Sequence, residues 1–489
     1  MGSIARRRRP SPTRARNWSR SAPTSFVPRW LPWWPRRRSC GTTASSVSVR
    51  GVAVGTSPKV AFTTLGCRLN QAESDQMAEE LYGHGLRPWE AQGSPDVVVI
   101  NTCTVTREAT KASRMAIRRA ARDHPGARLV VIGCYAVSDP DEIAAIDGVD
   151  LVLDNNDKER IADVLGDRAE TAPLLQLGMR GRTAIPTVER VRANLKVQTG
   201  CDEFCTFCII PKTRGPLRSM DEDSLVAEAR ARVATGAREI VLTGVHLGKY
   251  TYDSGGDERS LIRLFSRLLD IDGLWRIRLS SILSRHLTDE VIDLIAKEPR
   301  MCRYLHVPLQ SGDDEVLRAM NRPYDIEEYV DSMERAKAAI PGLATATDII
   351  VGFPGESEEA FERTLDVVGR IRYSKLHVFR YSARPDTPAA GMDDVVPPHV
   401  KKERSKRLIE LGNQIRRGFL EDHLHHPLEV LVEDERSIDG NAVCSGQTGD
   451  YVRVWFEGEG LLGSEVRVRG REIRSDGIRG AEMLEVIRR

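Results

Sequence analysis

From residue 59 onward, short apolar runs alternate with amphipathic stretches. KVAFTTLGC, DVVVINTC and ARLVVIGC read as strands, and each ends on a cysteine: Cys67, Cys103 and Cys134. Between them, NQAESDQMAEELYGHG reads as a helix stopped by glycine. REATKASRMAIRRAARDHP reads as a second, stopped before Pro125. VDLVLDN repeats the strand pattern. Continuously apolar strands separated by helices predict a parallel sheet. Ligands of such sheets sit beyond the carboxyl ends of the strands, so one fold rule gathers three cysteines that are about 30 positions apart.

A longer alternation follows a linker-like stretch at 165–190. Its strands are expected at LKVQT (195–199), EIVLT (239–243), RIRLS (276–280), YLHVPL (304–309), ATDIIVG (346–352) and KLHVFRY (375–381). Helical stretches such as DEDSLVAEARARVATG and SEEAFERTLDVVGRI separate them. Six strand–helix units predict an open partial barrel, a (βα)6 relative of the TIM barrel. A connecting helix is expected at 401–423. LEVLVED, DYVRVWFEG and SEVRVRG then predict a small β-barrel. The fold class is therefore α/β with a terminal β module. Its parts are a leader at 1–57, a parallel-sheet domain at 58–168, the partial barrel at 187–420 and the β module at 424–489.

Charge changes this picture in one place. The net charge is +2, but residues 1–50 hold twelve arginines and no Lys, Asp or Glu, which leaves about −10 for the rest. The leader is rich in Arg, Ser and Pro and reads as disordered, with the composition of a transit peptide or of a misassigned start. The body has no uniformly basic surface, so any nucleic acid must meet local patches. No apolar stretch is long enough to span a bilayer. This enzyme-like chain reads as cytoplasmic, where its cysteines serve as ligands rather than disulfides.

Cys201, Cys205 and Cys208 form a tight CxxxCxxC set directly after the first barrel strand, at the face where barrel chemistry is placed. A [4Fe–4S] cube normally takes four cysteines, so three leave one iron open to a bound atom. Zinc needs four ligands, and no fourth Cys or His lies near. Read from the residues alone, Cys67, Cys103 and Cys134 are either core thiols or a second three-ligand site. Cys302 and Cys444 read as ordinary buried thiols.

CDEFCTFCIIPKTRG resembles the radical S-adenosylmethionine (SAM) loop. With GCRLNQAES, NTCTVTREATKASRMAIRRA, VIGCYA, LTGVHLGKY, HVPLQSGDDEVLRAMNRPY and DIIVGFPGE, the chain over roughly 58–485 resembles the radical SAM methylthiotransferases. NQAES, TCTVTREA and TGVHLGKY look like the MtaB-type branch, which acts on threonylcarbamoyl-adenosine in tRNA. Lys212 departs from the pattern, since relatives often carry an aromatic there. The resemblance implies two [4Fe–4S] clusters, on 67/103/134 and on 201/205/208, with SAM as the other cofactor. It implies SAM contacts from Phe207, Thr243, Gly244 and Val245, while GFPGE (352–356) and LQSG (309–312) are further strand-end loops near SAM. A radical made from SAM would take hydrogen from adenine C2 at position 37, and the second cluster would deliver methylthio there. An unactivated aromatic C–H has no accessible acid–base route near pH 7, so no general base is expected. An electron donor and a sulfur donor are implied as partners.

For RNA contact, Lys111, Arg114, Arg118 and Arg122 share one helix face. The 401–417 stretch holds seven basic and two acidic residues. Either is also readable as a solvated face. The terminal module has 9 basic and 13 acidic residues over 425–489, so its TRAM-like resemblance points to particular side chains, with Tyr451 and Trp455 as stacking candidates. The alternatives are methylthiolation of isopentenyl-adenosine in tRNA, methylthiolation of a ribosomal-protein aspartate, or a non-catalytic iron–sulfur or RNA-binding protein.

Overall fold

A computed structural model describes residues 57–166, 190–251, 260–438, 441–474 and 477–489. Residues 1–56 of the leader expected at 1–57 and nearly all of the expected linker lie outside these residues.

The N-terminal sheet is parallel, with Lys59–Thr64, Val97–Thr102 and Arg128–Gly133 at its centre and Arg87–Pro88 and Leu151–Val152 at its edges. Val97–Thr102 is buried at every position because helices cover both faces. Helices Arg68–Gly83 and Arg107–Asp123 connect the central strands. Thr106 caps the second by accepting a hydrogen bond from Ala109 N.

Six parallel strands form the partial barrel: Arg192–Lys196, Glu239–Thr243, Arg276–Leu279, Tyr304–His306, Ala344–Val351 and Lys375–Arg380. A bridge between Ile277 and Met301 joins its two halves. The barrel helices start where the sequence supplies caps, as at Asp221, Ser357 and the Asp325–Glu328 capping box. The strand expected over 304–309 stops at His306: Val307 N still donates to Ala346 O (2.9 Å), but Leu309 N turns to the Thr347 hydroxyl (2.8 Å) and leaves the ladder. Helix Arg68–Gly83 packs against the first barrel strand, with Gln71 accepting from Asn194, so the N-terminal domain sits on the barrel's open side.

Helix Pro398–Asp422 runs along the last barrel strand into the terminal module. There Pro427–Ile438, Asn441–Thr448, Arg453–Glu457, Glu465–Arg469 and Gly477–Arg488 close into a barrel of TRAM-like form, with Glu472–Arg474 on its edge. Three of these six strands, Asn441–Thr448, Glu472–Arg474 and Gly477–Arg488, are absent from the sequence reading. Gly477–Arg488 contains AEMLEVIR, a run of good helix formers, yet its antiparallel pairing along Glu465–Arg469 holds it extended.

Candidate active site

The tight cysteine loop follows the first barrel strand and depends on a tight turn. Gly200 has φ +72°, and a Cβ there would stand 1.9 Å from Pro216 O. Gln198 then fixes the loop against the end of the second strand. Its Nε2 donates to Gly200 O (2.9 Å), and its Oε1 accepts from His246 N (2.8 Å). Thr243, Gly244 and Val245 lie on this stapled turn. Thr243 is buried and donates to Val241 O, while Gly244 and Val245 are half-buried. Glu203, inside the loop, meets His246 Nε2 at 3.0 Å, Lys249 Nζ at 2.8 Å and Arg285. Hydrogen bonds from His246 and Lys249, with the Arg285 charge, hold Glu203 well below the usual carboxylate range.

The three thiols of this loop are mutually close. Burial pushes Cys208 up to about 12, with Cys205 and Cys201 adding to the rise. Cys208 Sγ accepts from Ile210 N (3.4 Å), and Cys205 Sγ accepts from Arg322 Nη1 (3.1 Å). Such donors stabilise thiolate charge. Phe207 is half-buried against a cluster that includes Met320, Phe353 and Tyr381. Phe204, which the sequence reading passed over, is the exposed aromatic of the loop at 67%.

At the carboxyl edge of the N-terminal sheet, Gly66 (φ +96°) lets its strand end pass Cys103. A Cβ at 66 would stand 2.6 Å from Cys103 Cβ. Ser113 holds the Cys103 backbone, accepting from its N–H (3.1 Å) and donating to its carbonyl (2.8 Å). Cys134 opens the short helix Cys134–Ser138. Burial pushes the Cys103 thiol up to about 11, and Cys134 and Cys67 are near enough to raise it further. Each set thus offers three converging sulfurs with no fourth cysteine beside them among the described residues, where Cys302 and Cys444 are buried elsewhere. Three soft donors, glycine-shaped walls and nearby N–H groups fit a thiolate-held cluster.

The two sets are joined physically. Helix Ile210–Arg214 follows the tight loop and packs against the helix that Cys134 begins. Asn155 Nδ2 donates to Thr213 O at 2.6 Å across this junction. Arg214 is buried there, with Nη1 at 2.8 Å from Glu73 Oε1 and Nη2 bonded to Asn70. Its charge lies close to Cys134 and Cys67. Lys158 Nζ meets the other Glu73 oxygen at 2.5 Å. Arg214 and Glu73 sit inside the quoted TRG and NQAES motifs, but their pairing across 141 residues leaves no local sequence signal. Lys212, the departure from the family pattern, pairs with Asp386 of the loop after the last barrel strand.

Lower in the barrel, Asp348 Oδ1 lies 3.1 Å from His306 Nε2 and 3.4 Å from His377 Nδ1. Burial brings His377 down to about 4, so it is neutral near pH 7.

Residues 195–368 match the Radical SAM superfamily, and residues 59–154 match Uncharacterized protein family UPF0004. The threonylcarbamoyladenosine tRNA methylthiotransferase MtaB of Bacillus subtilis (strain 168) is 40% identical over 421 residues, which is 84% of this chain and 93% of the relative. The chain belongs to the radical SAM tRNA methylthiotransferase family. The Aquifex aeolicus MtaB is 37% identical over 84% of this methylthiotransferase and 99% of its own length. The tRNA-2-methylthio-N(6)-dimethylallyladenosine synthase of Salinispora arenicola is 37% identical over 85% of each chain. In fold, the chain is similar to the radical SAM methyltransferase TsrM of Kitasatospora setae, with a TM-score of 0.52 at 17% identity over 68% of this chain and 75% of that one.

The methylthiotransferase's two stacking candidates differ in what lies over their rings. Tyr451 is half-buried, with Tyr304 packed on its ring (4.6 Å) and Arg278 over it (4.3 Å), contacts that join the terminal module to the barrel. Trp455 is half-buried, with Arg479 (4.6 Å) and Arg453 (5.5 Å) over its ring. On the basic helix, Arg114 pairs with Glu142 and Arg122 with Asp123, while Lys111 and Arg118 are exposed. No helix among the described residues is long and apolar enough to cross a membrane.

Proposed function

We propose that this enzyme methylthiolates C2 of N6-threonylcarbamoyladenosine at position 37 of tRNA. The supporting observation is the pair of three-cysteine sets on either side of the Arg214–Glu73 junction, in a chain 40% identical to a tRNA methylthiotransferase of that substrate. In this reading Cys201, Cys205 and Cys208 hold one [4Fe–4S] cluster, and Cys67, Cys103 and Cys134 hold the other. When bound, the clusters and SAM supply one-electron reduction, a hydrogen-abstracting radical and the methylthio group. The protein's part is to orient and to exclude water. Gln198 and Glu203 fix the 243–245 turn, with Thr243, Gly244, Val245 and Phe207 as SAM neighbours. Arg322 and Arg214 place positive charge beside the thiolates. The functional divisions are 58–168, 187–420 and 424–489, the last an RNA-binding module. The enzyme works in the cytoplasm and draws on a separate electron donor and a separate sulfur donor.

Nucleoside analysis of tRNA from a strain lacking the gene tests the substrate. Loss of the methylthio form of threonylcarbamoyladenosine supports the reading. Loss of the isopentenyl methylthio product instead overturns it.

A further inference from the structure

Arg384 lies on the loop after the last barrel strand, at the face that carries the tight cysteine loop. That loop is tied to the site on several sides. Ala389 N donates to Thr206 O at 2.9 Å, between Cys205 and Cys208, and Asp386 pairs with Lys212. Arg384 Nη1 donates to Thr110 Oγ1 at 3.1 Å, on the helix after Cys103. The side chain therefore bridges the two halves of the site. Its Nε and Nη2 are buried and have no hydrogen-bond partner. Buried guanidinium N–H groups without acceptors are costly, so the pair marks a place for an acceptor that arrives with a ligand.

The surroundings give that acceptor's charge. Burial and then the Arg107 charge lower the proton affinity of both Arg384 and Lys401, so Arg107 lies near each of them, with Cys103 opposing it at Arg384 and Glu356 at Lys401. The carboxylates near Arg384 are Asp139 and Glu108, and neither hydrogen-bonds to it. Lys401 Nζ donates to Tyr381 O at 3.3 Å, which holds it on the same loop. Val105 and Phe204 are exposed beside the two cysteine sets, at 46% and 67%, and offer apolar surface for a base. A planar guanidinium with Nε and an Nη free matches two oxygens of a carboxylate or a phosphate.

We propose that Arg384, backed by Arg107 and Lys401, binds one oxyanion of the tRNA substrate beside the reacting base. This rests on the tRNA methylthiotransferase reading. Two groups of that substrate have the required chemistry. One is the threonylcarbamoyl carboxylate, whose carbamoyl N–H folds onto adenine N1 and so keeps it on the edge that carries C2. The other is the backbone phosphate flanking the target nucleotide.

The test is anaerobic binding of the cluster-loaded enzyme to anticodon stem-loop RNAs that carry either threonylcarbamoyl-adenosine or plain adenosine at the target position. R384Q is expected to weaken binding by about ten- to hundredfold, the range for hydrogen bonds to a charged group. Loss confined to the threonylcarbamoyl RNA identifies the carboxylate; equal loss with both RNAs identifies the phosphate. Wild-type affinity of R384Q for both RNAs overturns the proposal. If R384Q sheds iron, the double variant R107Q/K401Q replaces it. Several-fold weakening then supports the site, and wild-type affinity overturns it. Should the wild-type enzyme bind neither RNA, the tRNA reading itself fails, apart from any result with the variants.

Discussion

Arg214 Nη1 stands 2.8 Å from Glu73 Oε1, and this contact joins the helix after the tight cysteine loop to the helix after Cys67. Both side chains are buried, and Lys158 and Lys196 approach the same carboxylate at 2.5 and 3.8 Å. Burial alone would raise Glu73, but the Lys158, Arg214 and Lys196 charges hold it well below the usual carboxylate range. Replacing Glu73 with Gln leaves three buried cations without their shared counter-ion. Breaking a buried pair from one side costs roughly 3–5 kcal/mol. E73Q is expected to unfold at a clearly lower denaturant midpoint than the wild-type enzyme, while a surface control such as E410Q stays unchanged.

Gly200 offers a local test of the tight loop. An alanine there must hold φ +72° and place its Cβ 1.9 Å from Pro216 O. Backbone must move, because the obstacle is a carbonyl rather than a flexible side chain. G200A is expected to lose about half of its iron and its ability to cleave SAM, while the spread cysteine set keeps its share. Full iron content with normal cleavage would show that the turn is not needed.

The junction with the terminal module carries a pH signature. Arg278 is fully buried, donates to Glu239 Oε1 (2.6 Å), and reaches Gly449 O (2.9 Å) and Thr448 O (3.1 Å). Burial would raise Glu239, but the Arg278 charge and hydrogen bond bring it down to about 2. A carboxylate held below its ordinary value adds stability above that ordinary value and loses it as pH falls through the depressed one. Glu239's contribution is therefore whole above about pH 4.5 and gone near pH 2. Acid titration followed by thermal unfolding should show E239Q losing less stability over that window than the wild-type enzyme.

Much of this was legible in the chain. Apolar runs that only a doubly covered parallel sheet accepts place Cys67, Cys103 and Cys134 just beyond strand ends, at Thr64, Thr102 and Gly133. The CxxxCxxC loop follows the first barrel strand as its pattern implied. Tertiary contacts decided the rest. AEMLEVIR has helical preferences, but its antiparallel pairing along Glu465–Arg469 overrules them. Tyr451 looked like a stacking residue because aromatics on small β-barrels often are, and only the fold shows Tyr304 and Arg278 against its ring. Arg384 and the Arg214–Glu73 pair carry no periodicity or spacing, since their partners lie 274 and 141 residues away.

Cysteine substitutions should separate the two sets. Changing any of Cys201, Cys205 or Cys208 to Ala is expected to abolish SAM cleavage. Changing Cys67, Cys103 or Cys134 is expected to spare cleavage and stop methylthiolation, read by mass spectrometry of the RNA product. Product formed by a spread-set variant would remove the second cluster from the chemistry.

Iron and sulfide counting on anaerobically reconstituted protein decides whether two open cubes share this site. The wild-type chain should hold about eight irons, and the triple variant C67A/C103A/C134A about four. Four irons in the wild type, or eight in the triple variant, would contradict it.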